Sequence, residues 1–180
     1  MKLNLCCGDK YLEGYINADI ARNVKTDERF DADKEMPFSN ETFKEVLLNQ
    51  GLEHLTNVGF ALGEINRVLK PSGKLILQTD NACFIPYYFG GLHARPKTTW
   101  WSGDKHYFVF SKEHLENLLR KYGFKIESFN YVPHTYWRKR TYLYHLFFRF
   151  FGLDKLAYPR MYVVAVKNNG KRKEDEEKGR

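Results

Sequence analysis

The residues best placed to do chemistry follow the first apolar run of the chain. Residues 1–10 (MKLNLCCGDK) combine a short apolar run with Gly8 and Asp9. A run this short, ended by a glycine and an acid, predicts a buried strand and then a tight turn where a ligand can approach the backbone. Asp19 ends a second short apolar stretch at 15–20. We therefore expect a ligand site beside the first turn, with later groups arriving next to it.

Alternating strand and helix patterns supply the elements that must position these groups. A third strand is predicted to end at 30–32, and further strands are predicted at 45–50, 74–79, 124–132 and 161–166. Asn57 and Ser111 are suited to cap helices over 57–69 and 111–122, whose apolar residues recur at helical spacing. The helix over 57–69 is interpreted as core. This order of elements favours an α/β sheet covered by helices. The connection between the first two strands, about seven residues, is shorter than the dozen that a parallel crossover normally needs.

Composition predicts one globular domain with a charged tail. The chain has 180 residues, of which 43% are hydrophobic, and a net charge of +7. We expect a domain over 1–166 and a disordered tail over 167–180, where apolar residues are scarce. No apolar run reaches about 18 residues and no leader pattern opens the sequence, so we expect a cytoplasmic protein. The three cysteines suit neither a disulfide framework nor a spaced metal site.

Two long segments interrupt the predicted strands and helices. Residues 80–107 carry several Pro and Gly among aromatics, and such long loops inside compact domains are typically lids or substrate-binding loops. Residues 133–160 form a basic, aromatic insertion with one predicted helix near 139–151.

Six short motifs occur in order between residues 3 and 124. They are LNLCCG at 3–8, NADI at 17–20, the stretch 31–38, LEHL at 52–55, EINRVLKPSG at 64–73 and the stretch 106–111. Together they closely resemble the class I S-adenosylmethionine-dependent methyltransferases, in particular the methyltransferase type 11 branch. The resemblance implies a Rossmann-like α/β sheet of seven strands in the order 3-2-1-4-5-7-6, with the last strand antiparallel and helices on both faces. Its first crossover would be shortened, and the cofactor would bind outside the carboxyl ends of the strands.

The resemblance assigns the first turn to the cofactor. Cys6, Cys7 and Gly8 would lie against the methionine portion and ribose of S-adenosylmethionine, which leaves the reaction as S-adenosylhomocysteine. Glycine suits a turn where the backbone must approach a ligand. Asp19 would accept hydrogen bonds from the ribose hydroxyls, as acids do in related nucleotide sites.

The rest of the implied cofactor site comes from two other strand ends. Asp31 would accept from the adenine amino group, with the Ala32 backbone beside the ring. Asn49, Gln50 and Gly51 would hold the methionine amine, mostly through carbonyl groups. No metal ion is expected.

Three residues depart from the family pattern at the first turn. Cys6 and Lys10 stand where glycine is customary, and Asn4 stands where an acid is customary. If Cys6 adopts positive φ, the strain is about 1–2 kcal/mol. A scaffold that has lost the cofactor and binds RNA, membrane or protein partners is therefore the alternative to an enzyme.

Histidines are the candidate catalytic residues. Methyl transfer is an in-line displacement in which the protein aligns the nucleophile and excludes water. A hydroxyl nucleophile also needs a base, and histidine is suited to this near neutral pH. We predict His106 and His54 in this role. His93 is less well placed, and Asp80 and Tyr107 are expected as polar companions.

The acceptor is constrained by a missing motif. Asn49 and Gln50 stand where amide and exocyclic-amine methylases carry Asn/Asp-Pro-Pro-Tyr/Phe. We therefore predict an oxygen or carbon nucleophile on a small molecule, sugar or lipid.

The basic, aromatic insertion at 133–160 has three open interpretations. It is a lid helix packed on the sheet or on a second subunit, an interfacial helix on an anionic membrane surface, or a segment that stacks single-stranded RNA or DNA. The second interpretation would make the protein peripheral at the membrane.

Overall fold

A computed structural model describes residues 1–85, 106–132 and 142–168, with only the backbone described at 142–145. One six-stranded sheet forms the centre of this part of the chain. Its strands are β1 (Lys2–Leu5), β2 (Ile16–Ala18), β3 (Phe43–Asn49), β4 (Leu69–Asp80), β5 (Phe124–Val132) and β6 (Arg160–Lys167). The helices are α1 (Val58–Val68), α2 (Lys112–Lys121), α3 (Tyr142–Phe150) and α4 (Asp154–Ala157), and a 3₁₀ turn spans Leu52–His54.

The strand order is β2-β1-β3-β4-β6-β5. The first four strands along the chain pair in parallel, and β6 runs antiparallel to both of its neighbours. Apart from the third strand, this is the predicted class I methyltransferase order with its last strand antiparallel. The parallel strands put the carboxyl ends of β1, β2, β3 and β4 at one edge, where ligands bind in open α/β sheets.

The third strand, predicted to end at 30–32, is reduced to a bridge at Glu28 among the described residues. Glu28 pairs with Ala18 in an isolated parallel bridge. Asp27 and Glu28 both donate backbone N–H groups to the Asn17 carbonyl, and the Asp27 carboxylate accepts from the Asn17 N–H at 2.8 Å. These turn and side-chain hydrogen bonds take up the groups that a strand ladder would need.

Buried amides replace the first crossover helix. The side-chain NH₂ of Asn4 donates to Asn17 Oδ1 at 2.9 Å and to the Lys10 carbonyl at 2.8 Å. Asn17 Oδ1 also accepts from the Leu12 N–H at 2.9 Å. An ionised carboxylate at position 4 could not donate either of the Asn4 bonds. The asparagine at this position is thus matched to the short connection.

The two predicted helices are confirmed, with their caps. Asn57 accepts from the Phe60 N–H at the start of α1, and Ser111 accepts from the His114 N–H at the start of α2. Their apolar faces pack into the core with the sheet. These core residues are Val58, Ala61, Leu62, Ile65 and Val68 of α1 and Leu115 and Leu119 of α2.

The two long segments are described in part. Residues 86–105, which include His93 and most of the predicted substrate loop, lie outside the described residues, as do 133–141 and the tail from 169 onward. Within 133–160, α3 occupies most of the predicted helix. Among the described residues, the helices are all too short or too polar to cross a lipid bilayer.

Candidate active site

The turn after β1 has the conformation that a backbone cradle requires. Gly8 adopts φ of 53°, a left-handed value that suits glycine, and a Cβ built on it would meet nothing within 4 Å. The space beside its Cα is therefore open to a ligand. The Cys7 N–H donates to the Ala18 carbonyl at 3.0 Å, which fixes the turn against the end of β2.

Asp19 lies directly against this turn. Its Oδ2 accepts from the Gly8 N–H at 2.8 Å, and its Oδ1 accepts from the Ala21 N–H at 2.8 Å. Each carboxylate oxygen has a second lone pair, so both can still accept from a ligand. The structure thus brings Gly8 and Asp19 together, as the spacing predicts.

Cys6, which stands where glycine is customary, adopts a strained backbone conformation. Its φ is 53°, in the left-handed region that non-glycine residues rarely adopt. Burial, reinforced by the negative charge of Asp19, raises the pKa of its thiol. Cys6 is therefore a neutral thiol near pH 7 rather than a reactive thiolate.

The end of β3 packs against the same turn. A Cβ on Gly51 would lie 2.8 Å from Cys6 Cβ and 2.5 Å from Leu48 Cδ1, so a larger residue there would force Cys6 and Leu48 to shift. Gln50 adopts φ of 57° and donates its N–H to the Gln78 carbonyl at 2.8 Å. Asn49 Oδ1 accepts from the Gln78 side chain at 3.1 Å. The predicted methionine-side residues therefore adjoin the predicted cradle.

Asp31 and Ala32 occupy a turn after the bridge at Glu28. Asp31 Oδ1 accepts from the Asp33 N–H at 3.0 Å, and its Oδ2 lies 3.6 Å from the Lys34 ammonium. Ala32 is buried. The adenine contacts assigned to this pair stay a prediction.

A second group of polar side chains gathers at the carboxyl ends of β3 and β4. His106 Nδ1 lies 3.1 Å from Asp80 Oδ2, and both side chains are nearly buried. The His54 and His106 rings meet edge to face, with centroids 4.5 Å apart. The three residues singled out from the sequence are therefore neighbours. Their catalytic role stays a prediction.

Glu53 was not predicted as a site residue, yet it lies at the centre of this group. It is fully buried, and its Oε2 accepts from the Thr79 hydroxyl at 2.8 Å. Its Oε1 has no hydrogen-bond partner within the described part of the chain. Burial, together with the nearby Asp80 charge, raises the pKa of its carboxyl group. The only sequence signal was an acid directly before His54 in LEHL.

The 106–108 backbone is attached to the same 3₁₀ turn. Tyr107 and Phe108 donate N–H groups to the Glu53 carbonyl at 2.8 and 3.3 Å. Glu53, His54 and His106 each offer a ligand atom, and these atoms lie within 4.8 Å of one another. Since the Tyr107 side chain is 55% exposed, it is not part of this buried group.

Among known proteins, the chain resembles methyltransferases. A family described as methyltransferase domain matches residues 5–128. Among curated proteins, a demethylmenaquinone methyltransferase from Staphylococcus aureus (strain JH9) is 27% identical over 113 residues, covering 53% of this chain and 47% of the relative. The chain thus spans about half the length of the curated relatives it matches.

Solved structures share the fold. An S-adenosylmethionine-dependent methyltransferase from Mesorhizobium loti superposes with a TM-score of 0.65 at 17% identity, covering 92% of this chain and 89% of that one. A methyltransferase of the same kind from Archaeoglobus fulgidus gives 0.64 at 17% identity, covering 92% and 85%. The chain therefore belongs to the methyltransferase domain family and has the class I S-adenosylmethionine-dependent methyltransferase fold.

Proposed function

We propose that this protein transfers a methyl group from S-adenosylmethionine to an oxygen or carbon nucleophile of a small molecule, sugar or lipid. The observation that supports this most is the Gly8–Asp19 contact at 2.8 Å, beside an open turn at the carboxyl ends of the parallel strands. Family membership over residues 5–128 supports the same assignment. Both features are what a nucleoside-bearing cofactor needs.

The residues of the turn after β1, with Asp19 directly after β2, fit the cofactor. Cys6, Cys7 and Gly8 would line its methionine portion and ribose, and Asp19 would accept from the ribose hydroxyls. Because Asp19 is already fixed by the Gly8 and Ala21 N–H groups, little ordering is left to occur on binding.

The other contacts come from neighbouring strand ends. Asp31 and the Ala32 backbone would face the adenine. Asn49, Gln50 and Gly51 would hold the methionine amine through carbonyls. When bound, the cofactor supplies a methyl group on a sulfonium, which any aligned nucleophile can displace.

His106 and His54 are assigned to the acceptor. In transfer to oxygen, a C–O bond forms, the C–S bond breaks with its electron pair kept by sulfur, and the hydroxyl proton must be removed. Asp80 faces His106 Nδ1 and favours the proton on that nitrogen, so the Nε2 lone pair is the one able to accept the acceptor's proton. His54 packs against this ring and restrains it.

The first experiment is calorimetric titration with S-adenosylmethionine and S-adenosylhomocysteine. Binding of both is expected. No binding at millimolar ligand would leave the alternative, a scaffold of the same fold that has lost the cofactor. Demethylmenaquinone, the acceptor in the name of the S. aureus relative, is the first acceptor to try. An His106→Ala variant that binds cofactor normally and turns over at full rate would refute the base assignment.

We also propose that α3 rests on an anionic lipid surface. Leu146, Phe147, Phe150 and Phe151 are all more than half exposed, and Phe150 is 83% exposed. The aromatic rings contact one another, with Phe147 and Phe151 centroids 5.0 Å apart. Arg149 on the helix and the net charge of +7 complement an anionic surface. Single-stranded RNA is the other outcome of the test given in the Discussion.

A further inference from the structure

We propose that Glu53, His54 and His106 bind a divalent transition-metal ion on the acceptor side of the methyl-transfer site. The three residues come from the turn after β3 and from the segment before α2, which meet over the carboxyl end of β4. One ligand atom from each lies within 4.8 Å of the others. The sequence led us to expect no metal ion, and its three cysteines show no metal-ligand spacing.

The distances suit a shared ion. Ligand atoms about 2.0–2.2 Å from a metal lie roughly 3–4.4 Å from one another, so small side-chain rotations are enough to close the site. For metal–nitrogen distances of about 2.0–2.1 Å, two imidazoles on one ion have ring centroids roughly 4.5–5.3 Å apart. The His54 and His106 centroids are 4.5 Å apart, with the rings at 87°.

The buried carboxylate is an independent observation. Glu53 is completely buried, and while Thr79 satisfies Oε2, Oε1 has no hydrogen-bond partner in the described part of the chain. A buried carboxylate oxygen left without a donor is costly, and buried charges in proteins are typically paired or coordinate a metal. A cation between Glu53 and the two histidines would satisfy this oxygen.

Asp80 supplies the outer support that metal-bound histidines usually have. A histidine ligand commonly directs its other ring nitrogen at a carboxylate, which sets its tautomer and orientation. His106 Nδ1 lies 3.1 Å from Asp80 Oδ2. A proton held on Nδ1 beside Asp80 would leave the lone pair of Nε2 for an ion.

The donor set selects the class of ion. Two imidazole nitrogens and one carboxylate oxygen suit Zn²⁺, Co²⁺ or Fe²⁺, whereas Mg²⁺ and Ca²⁺ prefer oxygen ligands. Three protein ligands leave at least one coordination position open, as in catalytic zinc sites.

An open position gives the ion a task in the proposed reaction. An acceptor hydroxyl bound there would lose its proton to water near neutral pH, because the ion lowers the pKa of a bound oxygen. The resulting alkoxide or phenolate would attack the methyl carbon as the C–S bond breaks. His106 would then act as a ligand rather than as the base. This part of the inference rests on the proposed function and selects hydroxyl acceptors over carbon.

The test measures metal binding directly. The full chain is freed of metal with a chelator and titrated with Co²⁺ and Zn²⁺, by calorimetry and, for Co²⁺, by its visible absorption bands. We expect one ion per chain. Glu53→Gln, His54→Ala and His106→Ala should each weaken binding at least tenfold, and Asp80→Asn about 10–100-fold. The matched control is His114→Ala, since His114 is an exposed histidine on α2, and it should leave binding unchanged.

Several outcomes would overturn the site. They are no saturable Co²⁺ or Zn²⁺ binding to the wild-type chain, binding that survives in the three ligand variants, and cobalt–thiolate absorption that is lost in Cys7→Ser. Circular dichroism identifies any variant that fails to fold. The titration of the wild-type chain does not depend on the variants and tests the metal site by itself. If S-adenosylhomocysteine binds but Co²⁺ and Zn²⁺ do not, the metal site fails and the proposed function stands. The reverse result would refute the proposed function alone.

Discussion

Cys6 lies directly over the α-carbon of Gly51, so that a Cβ at position 51 would come within 2.8 Å of Cys6 Cβ. This contact joins the turn after β1 to the turn after β3, the two strand ends assigned to the cofactor. Cys6 holds a left-handed φ of 53° in making it. The strained cysteine and the glycine are therefore one packing unit rather than two separate features.

Gly51→Ala should destabilise the fold by about 1–3 kcal/mol, because its Cβ would overpack Cys6 and Leu48. Cys6→Gly alone should change stability by less than about 1 kcal/mol, since relief of φ strain offsets the greater chain entropy of glycine. In the double variant the cost of Gly51→Ala should be smaller but not zero, because Leu48 still clashes. Urea unfolding of the wild type, the two single variants and the double variant gives the coupling energy between positions 6 and 51. Strictly additive effects would contradict the packing unit.

Asp19→Asn should weaken S-adenosylhomocysteine binding tenfold or more, which is about 1.4 kcal/mol. An amide keeps one acceptor oxygen but places an NH₂ against the Gly8 or Ala21 N–H, so the turn loses one of its two hydrogen bonds. Stability should fall by about 1–2 kcal/mol.

Calorimetric titration well below the melting temperature separates the two effects of Asp19→Asn. Glu13→Gln removes an exposed acid from the same connection and should leave affinity unchanged. Wild-type affinity in Asp19→Asn would remove this residue from the cofactor site.

The first turn could be predicted because its determinants are local in sequence, whereas the strand order was implied by the resemblance to a known family. Gly8 and Asp19 each end a short apolar run, and parallel pairing of β1 with β2 then places them together. The sequence predicted a full third strand, whereas the structure has only a bridge. The hydrogen bonds that compete with a strand ladder there involve the Asp27 side chain and the Asn17 carbonyl. No periodicity in the sequence records that competition.

Glu53 could not be recognised from sequence for a related reason. In LEHL it has the appearance of an ordinary polar residue in a turn. It becomes a buried, half-satisfied carboxylate only because Thr79 and the 106–108 backbone close over it. Its environment comes from residues more than twenty positions away, which a local pattern does not contain.

Glu64→Gln should destabilise the protein by about 2–4 kcal/mol at pH 7. The nearly buried Glu64 carboxylate accepts two hydrogen bonds from Arg67, each at 2.7 Å, and one from the Met36 N–H at 2.8 Å. The Arg67 hydrogen bonds hold the pKa of Glu64 below its usual range. Its contribution is therefore complete above the unfolded pKa of about 4.3 and is lost as pH falls through the lower folded value.

The difference between wild type and Glu64→Gln should accordingly shrink on acidification below about pH 4. Denaturant unfolding at a series of pH values measures it. Glu127→Gln breaks the exposed pair with Lys74, whose side chains are nearly half exposed, and should change stability by less than about 0.5 kcal/mol. Equal costs for the two variants would show that burial does not strengthen the Glu64–Arg67 pair.

Phe150→Ser should reduce co-flotation with phosphatidylglycerol-containing vesicles, and Phe147→Ser with Phe150→Ser should abolish it. These two rings are 57% and 83% exposed, so their replacement removes apolar area that a lipid surface would cover and leaves folding stability nearly unchanged. Phe60→Ser is the matched control, because Phe60 is an exposed phenylalanine on α1 and its loss should not affect flotation. Pure phosphatidylcholine vesicles should bind weakly, since the Arg149 charge then has no anionic partner. Binding to single-stranded RNA that weakens steeply with salt, in place of flotation, would instead assign the surface to nucleic acid.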